Sequence, residues 1–185
     1  MLTGERTALN FLQRMSGIAS ITLKYVEMLS GLKTKILDTR KTVPGLRLLD
    51  KYSVKIGTGT NHRIGLYDMV MIKDNHIKAA GSISEAVKKV KGKLNKKIKL
   101  EVETATLDEV KEALNSGVDI IMLDNMSIKQ MKEAVKIING KVKIEASGGV
   151  DINSVRMIAE TGVDYISVGA LTHSVKALDI GMYFE

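Results

Sequence analysis

The sequence predicts an α/β fold: an open or incomplete (β/α) TIM-like barrel of about six to seven parallel strands, preceded by a long N-terminal helix. Three observations carry this. Short apolar runs of β character recur along residues 32–185, each followed by a polar end and a helical stretch; strands flanked by helices on both faces are parallel and buried. The helical stretches open on capping signals. Nearly every run also ends in a group able to meet a ligand, namely Asp38, Lys73, Glu103, Asp124, Ser147 and then Val168-Gly169. Functional residues at the C-terminal ends of successive strands are the habit of barrels. A doubly wound nucleotide-binding sheet is weakened because no Gly-x-Gly-x-x-Gly follows the first run. An eight-stranded barrel usually needs ~250 residues, and this chain has 185, so closure is expected to be incomplete.

Residues 1–31 form the N-terminal helical segment, with Ala8, Leu12, Met15, Ala19, Val26 and Leu29 at helical spacing and Ser16-Gly17 as the place where it could bend. The strand candidates are Lys35–Leu37, Met69–Ile72, Ile98–Val102, Val118–Leu123, Val142–Ala146 and Val163–Val168. Between them Ser82-Ile83-Ser84-Glu85, Thr106-Leu107-Asp108-Glu109 and Ser127-Ile128-Lys129-Gln130 match the capping box, and Asp151 is a fourth N-cap candidate. The stretches that follow carry the apolar stripes Leu107/Val110/Leu114, Ile128/Met131/Val135/Ile138 and Val155/Ile158/Ala159. With no linker or low-complexity stretch, residues 1–185 read as one barrel domain.

The absence of cysteine excludes disulfides, thiolate zinc sites and a thiol nucleophile. It suits a cytoplasmic location. No apolar run approaches the ~20 residues of a membrane span, and the N-terminus lacks a signal-peptide layout. The net charge of +7 invites a nucleic-acid reading. Much of that excess lies in Lys88, Lys89, Lys91, Lys93, Lys96, Lys97 and Lys99, with no aromatic side chain interleaved to stack on bases. A solvated surface run is the better account.

A different set of cations is placed for chemistry. Arg40 and Lys41 (in Asp38-Thr39-Arg40-Lys41-Thr42-Val43-Pro44-Gly45), His62 and Arg63, and Lys73 all sit at or just beyond apolar runs. On a parallel sheet they converge at one end. Two like charges ~4 Å apart cost roughly 4 kcal/mol at an effective dielectric of about 20, so such a mouth implies a strongly anionic ligand. Pro44 shapes the turn that presents Arg40 and Lys41.

Glu103 and Asp124 end neighbouring strands, and Glu101 shares a face with Glu103. Two carboxylates at a phosphate-rich mouth suit Mg²⁺; equally, they could be structural partners of Lys73 or Arg63. Ser147-Gly148-Gly149 and Val168-Gly169-Ala170 each leave a strand and enter a helix, and bare backbone N–H groups at such turns bind phosphate. Among the histidines, His62 is expected to face the anion beside Arg63 with a depressed pKa, whereas His76 and His173 are more often structural in such contexts.

These stretches, with Glu5-Arg6-Thr7-Ala8, Asn61-His62-Arg63, Ile72-Lys73-Asp74-Asn75-His76, Leu123-Asp124-Asn125 and Gly169-Ala170-Leu171-Thr172-His173, closely resemble the quinolinate phosphoribosyltransferase family of NAD biosynthesis, in family order along nearly the whole chain. The resemblance implies transfer of phosphoribosyl from phosphoribosyl pyrophosphate to quinolinate, with decarboxylation. It implies that Arg40, His62, Arg63 and Lys73 hold the two carboxylates, with Thr39 and His173 also at the substrate. Lys41, Glu103 and Asp124 are implied to engage phosphoribosyl pyrophosphate, with Glu103 and Asp124 on its Mg²⁺. Ser147, Gly148, Gly149, Val168, Gly169 and Ala170 would cradle the 5-phosphate, and Arg6 would reach into the site of a partner in a homodimer.

Two departures from the family pattern stand out. The family's N-terminal domain is expected to be absent, and Gly57-Thr58-Gly59 replaces a commoner run of three glycines. A related protein of molybdenum transport operons, or an inactive module that binds phosphate or self-associates, are the alternatives.

Overall fold

The computed structural model describes residues 2–93, 95 and 97–183, with side chains from Gly4 onward; Lys96 of the lysine run lies outside them. Six parallel strands form one sheet: β1 (Lys35–Leu37), β2 (Val70–Ile72), β3 (Leu100–Thr104), β4 (Ile120–Asp124), β5 (Lys143–Ser147) and β6 (Tyr165–Ser167), in the order β1-β6-β5-β4-β3-β2. Every expected strand is present, with ends displaced by up to two residues. The largest change is at β3, which begins and ends two residues later than expected and so takes Glu103 into the ladder. A rudimentary seventh strand exists as well, a single parallel bridge between Thr60 and Leu37 on the free edge of β1.

The sheet curls without closing. Between the Thr60 segment and β2 lies a seam, spanned by the Arg63 side chain, whose Nη1 donates to the Met69 carbonyl at 3.0 Å. Alternation divides each strand between two environments. Val102, Ile121, Leu123, Ile144, Ala146 and Ile166 are buried in the apolar core. Each large aliphatic side chain so buried contributes about 1.5–3 kcal/mol. The opposite parity, with Glu101 and Glu103, Met122 and Asp124, Glu145 and Ser147, looks into the barrel.

Helix α1 (Leu2–Met28) runs unbroken through the expected bend. Gly17 serves close approach instead: a Cβ there would lie 2.3 Å from the Lys176 carbonyl oxygen. Helices α2 (Arg47–Ile56) and α3 (Asp74–Ala80) were not anticipated. The remaining long helices, α4 (Ile83–Lys91), α5 (Leu107–Asn115) and α6 (Ile128–Ile138), start at the expected caps Ser82, Thr106 and Ser127. Asp151 caps a turn rather than a helix, accepting the N–H groups of Asn153 and Ser154 just ahead of α7 (Val155–Ala159). A last short helix, α8 (Ala170–His173), follows β6. No helix among the described residues is long and apolar enough to cross a membrane.

Candidate active site

A cavity of about 810 Å³ opens at the C-terminal ends of the strands, and Arg40, Lys41, His62, Arg63 and Lys73 all line it. The convergence expected of these cations is therefore real. The Arg40 Nε is buried with no hydrogen-bond partner among the described residues. Burial, followed by the charge of Arg40, pulls the pKa of Arg63 down, against the opposing carboxylates of Glu101, Asp68 and Glu145. A guanidinium whose pKa a neighbouring guanidinium pulls down, beside one with an orphaned donor, makes a site prepared for an anion.

Local structure explains how they meet. The Arg47 guanidinium, from α2, donates to the Arg40 carbonyl, the Thr42 hydroxyl and the Ile64 carbonyl, tying the loop after β1 to the loop after Thr60. Asp38, read from sequence as a ligand group, is instead a buried organiser. Its carboxylate accepts Lys51 Nζ at 2.5 Å, the His62 N–H at 2.8 Å and Asn61 Nδ2 at 2.6 Å. Burial raises its pKa, with the Lys51 pairing working against the rise. Arg14 clamps the buried Asp50 with a two-bond fork at 2.9 and 2.8 Å that also reaches the Thr172 carbonyl.

His62 departs from expectation. Its Nε2 turns into the barrel, 3.1 Å from Glu101 and 3.2 Å from Glu145, with both carboxylates essentially inaccessible. Burial lowers its pKa, but the two glutamates more than offset this and the net is a rise to about 9, opposite to the expected depression. Arg63 does not set this histidine's charge because the imidazole is hemmed in by carboxylates. The Arg63 N–H approaches Nδ1 at 2.8 Å and resists a proton there. Burial likewise lifts Glu101, to about 7. The three donor atoms lie within 4.8 Å of one another, as metal ligands would. Yet Nε2 bears a proton both in the neutral tautomer that Nδ1 implies and in the imidazolium, so it offers no lone pair to a metal.

Across the mouth, Lys73 Nζ lies 2.6 Å from Glu103. The Asp124 carboxylate accepts only the Asn125 amide, at 2.9 Å, among the described residues. Glu103 and Asp124 form an all-oxygen donor set on the cavity wall, which fits Mg²⁺.

Ser147, Gly148, Gly149, Gly169, Ala170 and His173 line the cavity, as does Thr39. Gly148 is required there: its φ is +97° and a Cβ would meet Asn125 Oδ1 at 2.2 Å. Val168 does not line the cavity, and its N–H is already given to the Leu37 carbonyl at 3.0 Å, so it is unavailable for a phosphate. His76 is structural, its Nδ1 accepting the Lys73 N–H at the start of α3. Arg6 is exposed on α1, outside the cavity.

Residues 18–183 match the family described as quinolinate phosphoribosyl transferase, C-terminal domain. The chain belongs to this family. It is 50% identical over 182 residues to the probable carboxylating nicotinate-nucleotide pyrophosphorylase of Bacillus subtilis, covering 98% of this chain and 63% of that protein. It is 52% identical over 203 aligned positions to the chloroplastic enzyme of that name from Oryza sativa subsp. japonica, covering 100% of this chain and 54% of the relative. The crystal structure of the nicotinate-nucleotide pyrophosphorylase of Ehrlichia chaffeensis superposes with a TM-score of 0.94 at 52% identity, over 98% of this chain and 66% of that one. The chain thus spans between half and two thirds of the length of the curated relatives.

Within this quinolinate phosphoribosyl transferase barrel, several cavity residues escaped the sequence reading, among them Met71, Met122 and Glu145. Glu145 left a signal, an acid in the middle of an apolar run. The same parity that places Ser147 at the mouth places Glu145 one layer below it, where its Oε1 accepts the Ser167 hydroxyl. Lys51 left none, because it lies on a helix that was not foreseen.

Proposed function

We propose that the chain transfers phosphoribosyl from phosphoribosyl pyrophosphate to quinolinate with decarboxylation, giving nicotinate mononucleotide, pyrophosphate and CO₂ in NAD biosynthesis. The observation that carries this is the Arg40–Arg63 pair in one cavity, with the Arg40 Nε buried and, among the described residues, unpartnered. Guanidinium forks match carboxylates in geometry as well as charge, and two of them suit a ligand with two carboxylates on adjacent ring carbons. Relatives at about half identity carry the carboxylating activity in their names.

In this reading Arg40, Arg63 and Lys73 grip quinolinate, with Thr39 and His173 at its edge and His62 beneath it. Lys41 faces the pyrophosphate, and Ser147, Gly148, Gly149, Gly169 and Ala170 take the 5-phosphate. The pyridine nitrogen attacks the anomeric carbon as the bond to pyrophosphate breaks. Positive charge developing on the sugar is stabilised by Glu103 and Asp124, and the leaving charge by Lys41. The pyridinium accepts the electron pair released when the adjacent carboxylate departs as CO₂, and that ring carbon then takes a proton. Glu103 and Asp124 would hold Mg²⁺, which when bound neutralises charge on the pyrophosphate. Orientation of both substrates in attack geometry can supply up to about 7–11 kcal/mol of the barrier.

A homodimer in which Arg6 of each copy completes the other's site, in the cytoplasm, belongs to the same proposal. Release of labelled CO₂ from quinolinate and phosphoribosyl pyrophosphate tests it, with a full-length relative run alongside. Turnover should require Mg²⁺, and Asp124→Asn should reduce it about tenfold or more. No release from this chain while the relative turns over would defeat the reading.

A further inference from the structure

The segment that carries His62 and Arg63 has almost no sheet to hold it. Thr60 donates to the Ile36 carbonyl at 2.9 Å and accepts the Asp38 N–H at 3.2 Å, and its bridge to Leu37 is isolated. Beyond Thr60 the backbone is held by side chains. The Asp38 carboxylate takes the His62 N–H, and Lys51 Nζ binds both that carboxylate and, at 3.0 Å, the His62 carbonyl. Asn61 closes the knot by donating to Asp38 and to the Lys51 carbonyl at 2.8 Å. The Lys51 side chain is only 3% exposed and takes no part in the cavity wall. Burying an ammonium and a carboxylate together is weak evidence for stability, since apolar replacements often serve as well. Among the described residues Lys51 is the group that touches both Asp38 and the backbone between His62 and Arg63.

We propose that Lys51 is a positioning residue for the dicarboxylate half of the site. It fixes the backbone from which the Arg63 guanidinium crosses the seam, and so sets where Arg63 stands relative to Arg40. This rests on the functional reading above. The turns proposed for the 5-phosphate are independent of it, because Ser147, Gly148 and Gly149 follow β5 and Gly169 follows β6, both paired in the main ladder. Loss of Lys51 should therefore divide the two substrates. A merely structural lysine would not.

Lys51→Met keeps the aliphatic stem and removes the ammonium. Quinolinate, and separately phosphoribosyl pyrophosphate with Mg²⁺, are titrated calorimetrically into the parent chain and the variant. The quinolinate Kd should rise about tenfold or more, since displacement by an ångström can cost that much, while the Kd of phosphoribosyl pyrophosphate stays within about twofold. Equal weakening of both ligands, or unchanged quinolinate affinity, overturns the proposal. Should Lys51→Met fail to fold by circular dichroism, Lys51→Gln, too short to reach both partners, must give the same split. A parent that binds phosphoribosyl pyrophosphate but not quinolinate defeats the functional reading and this inference together. A parent that binds both, with a variant showing no split, defeats the inference alone.

Discussion

The two sides of the cavity are built by different means. From β3 to β6 the site hangs on a continuous parallel ladder, and residues such as Glu103, Asp124 and Ser147 are placed by strand parity. From β1 across the seam to β2 the backbone has one isolated bridge. There Arg40, His62 and Arg63 are placed by buried side chains, chiefly Asp38, Lys51 and Arg47. Main-chain hydrogen bonds tolerate side-chain change; a knot of charged side chains does not. The seam side should therefore be the more easily broken, and it holds the cations proposed to grip the dicarboxylate.

Arg63→Ala should produce the largest effect. It removes a partly desolvated guanidinium facing the ligand and the strut to Met69, and truncating one partner of such a charge pair costs about 2–5 kcal/mol. Quinolinate affinity measured by calorimetry should fall by at least about thirtyfold, and Arg63→Lys should recover little because the fork is lost. If affinity for phosphoribosyl pyrophosphate fell equally, the division between the two sides would not hold.

Gly148→Ala strikes the ladder side. The residue would carry a Cβ at φ +97° and drive it to 2.2 Å from the Asn125 amide. Strain and overpacking together should cost about 3 kcal/mol, read as a lower urea midpoint at unchanged m. Unlike Arg63→Ala, it should impair the sugar-phosphate ligand first.

The same division decides what could be read in the sequence. On the ladder side, apolar runs bounded by caps betray strands and helices, and parity points Glu103 and Asp124 inward. On the seam side the signals fail. The Thr60 strand is one residue long and has no apolar run. Helix α2 is largely inverted in pattern: Asp50, Lys51 and Ser53 are buried beside Val54, while Leu48, Tyr52 and Ile56 are exposed. A stripe search looks for the opposite arrangement. The cations there were found because charge is visible in sequence. Their supports were missed, and so was the inward turn of His62, because a histidine between two glutamates from β3 and β5 is a contact across the barrel.

His62 gives the next test, on stability. Its folded pKa is raised from 6.5 to about 9 by Glu101 and Glu145 against the pull of burial. The folded state then binds the proton more tightly than the unfolded one. The contribution is fully present below about pH 6.5 and is lost as pH rises through about 9, an effect on the order of 3 kcal/mol. His62→Gln should flatten that part of the stability profile. An NMR titration of the ring falling below pH 6.5 would mean that the Arg63 N–H facing Nδ1 prevails over the two carboxylates.

The smallest expected effect is a gain. Thr58, between α2 and the seam segment, has φ +62°, a left-handed conformation that costs a side-chain-bearing residue about 1–2 kcal/mol and is a genuine outlier for a β-branched one. Its neighbours could not have taken the substitution: a Cβ at Gly57 would lie 2.4 Å from the Ala19 carbonyl oxygen, and one at Gly59 2.7 Å from Thr22. Thr58 alone of the three is exposed. Thr58→Gly relieves the strain but returns about 0.5–1 kcal/mol in unfolded-chain entropy. The net should be stabilisation by about 0.5 kcal/mol, measurable as a small rise in urea midpoint. Were the variant less stable, the turn would owe its shape to the threonine itself, and the seam would be fastened at its entrance by more than the Asp38–Lys51 pair.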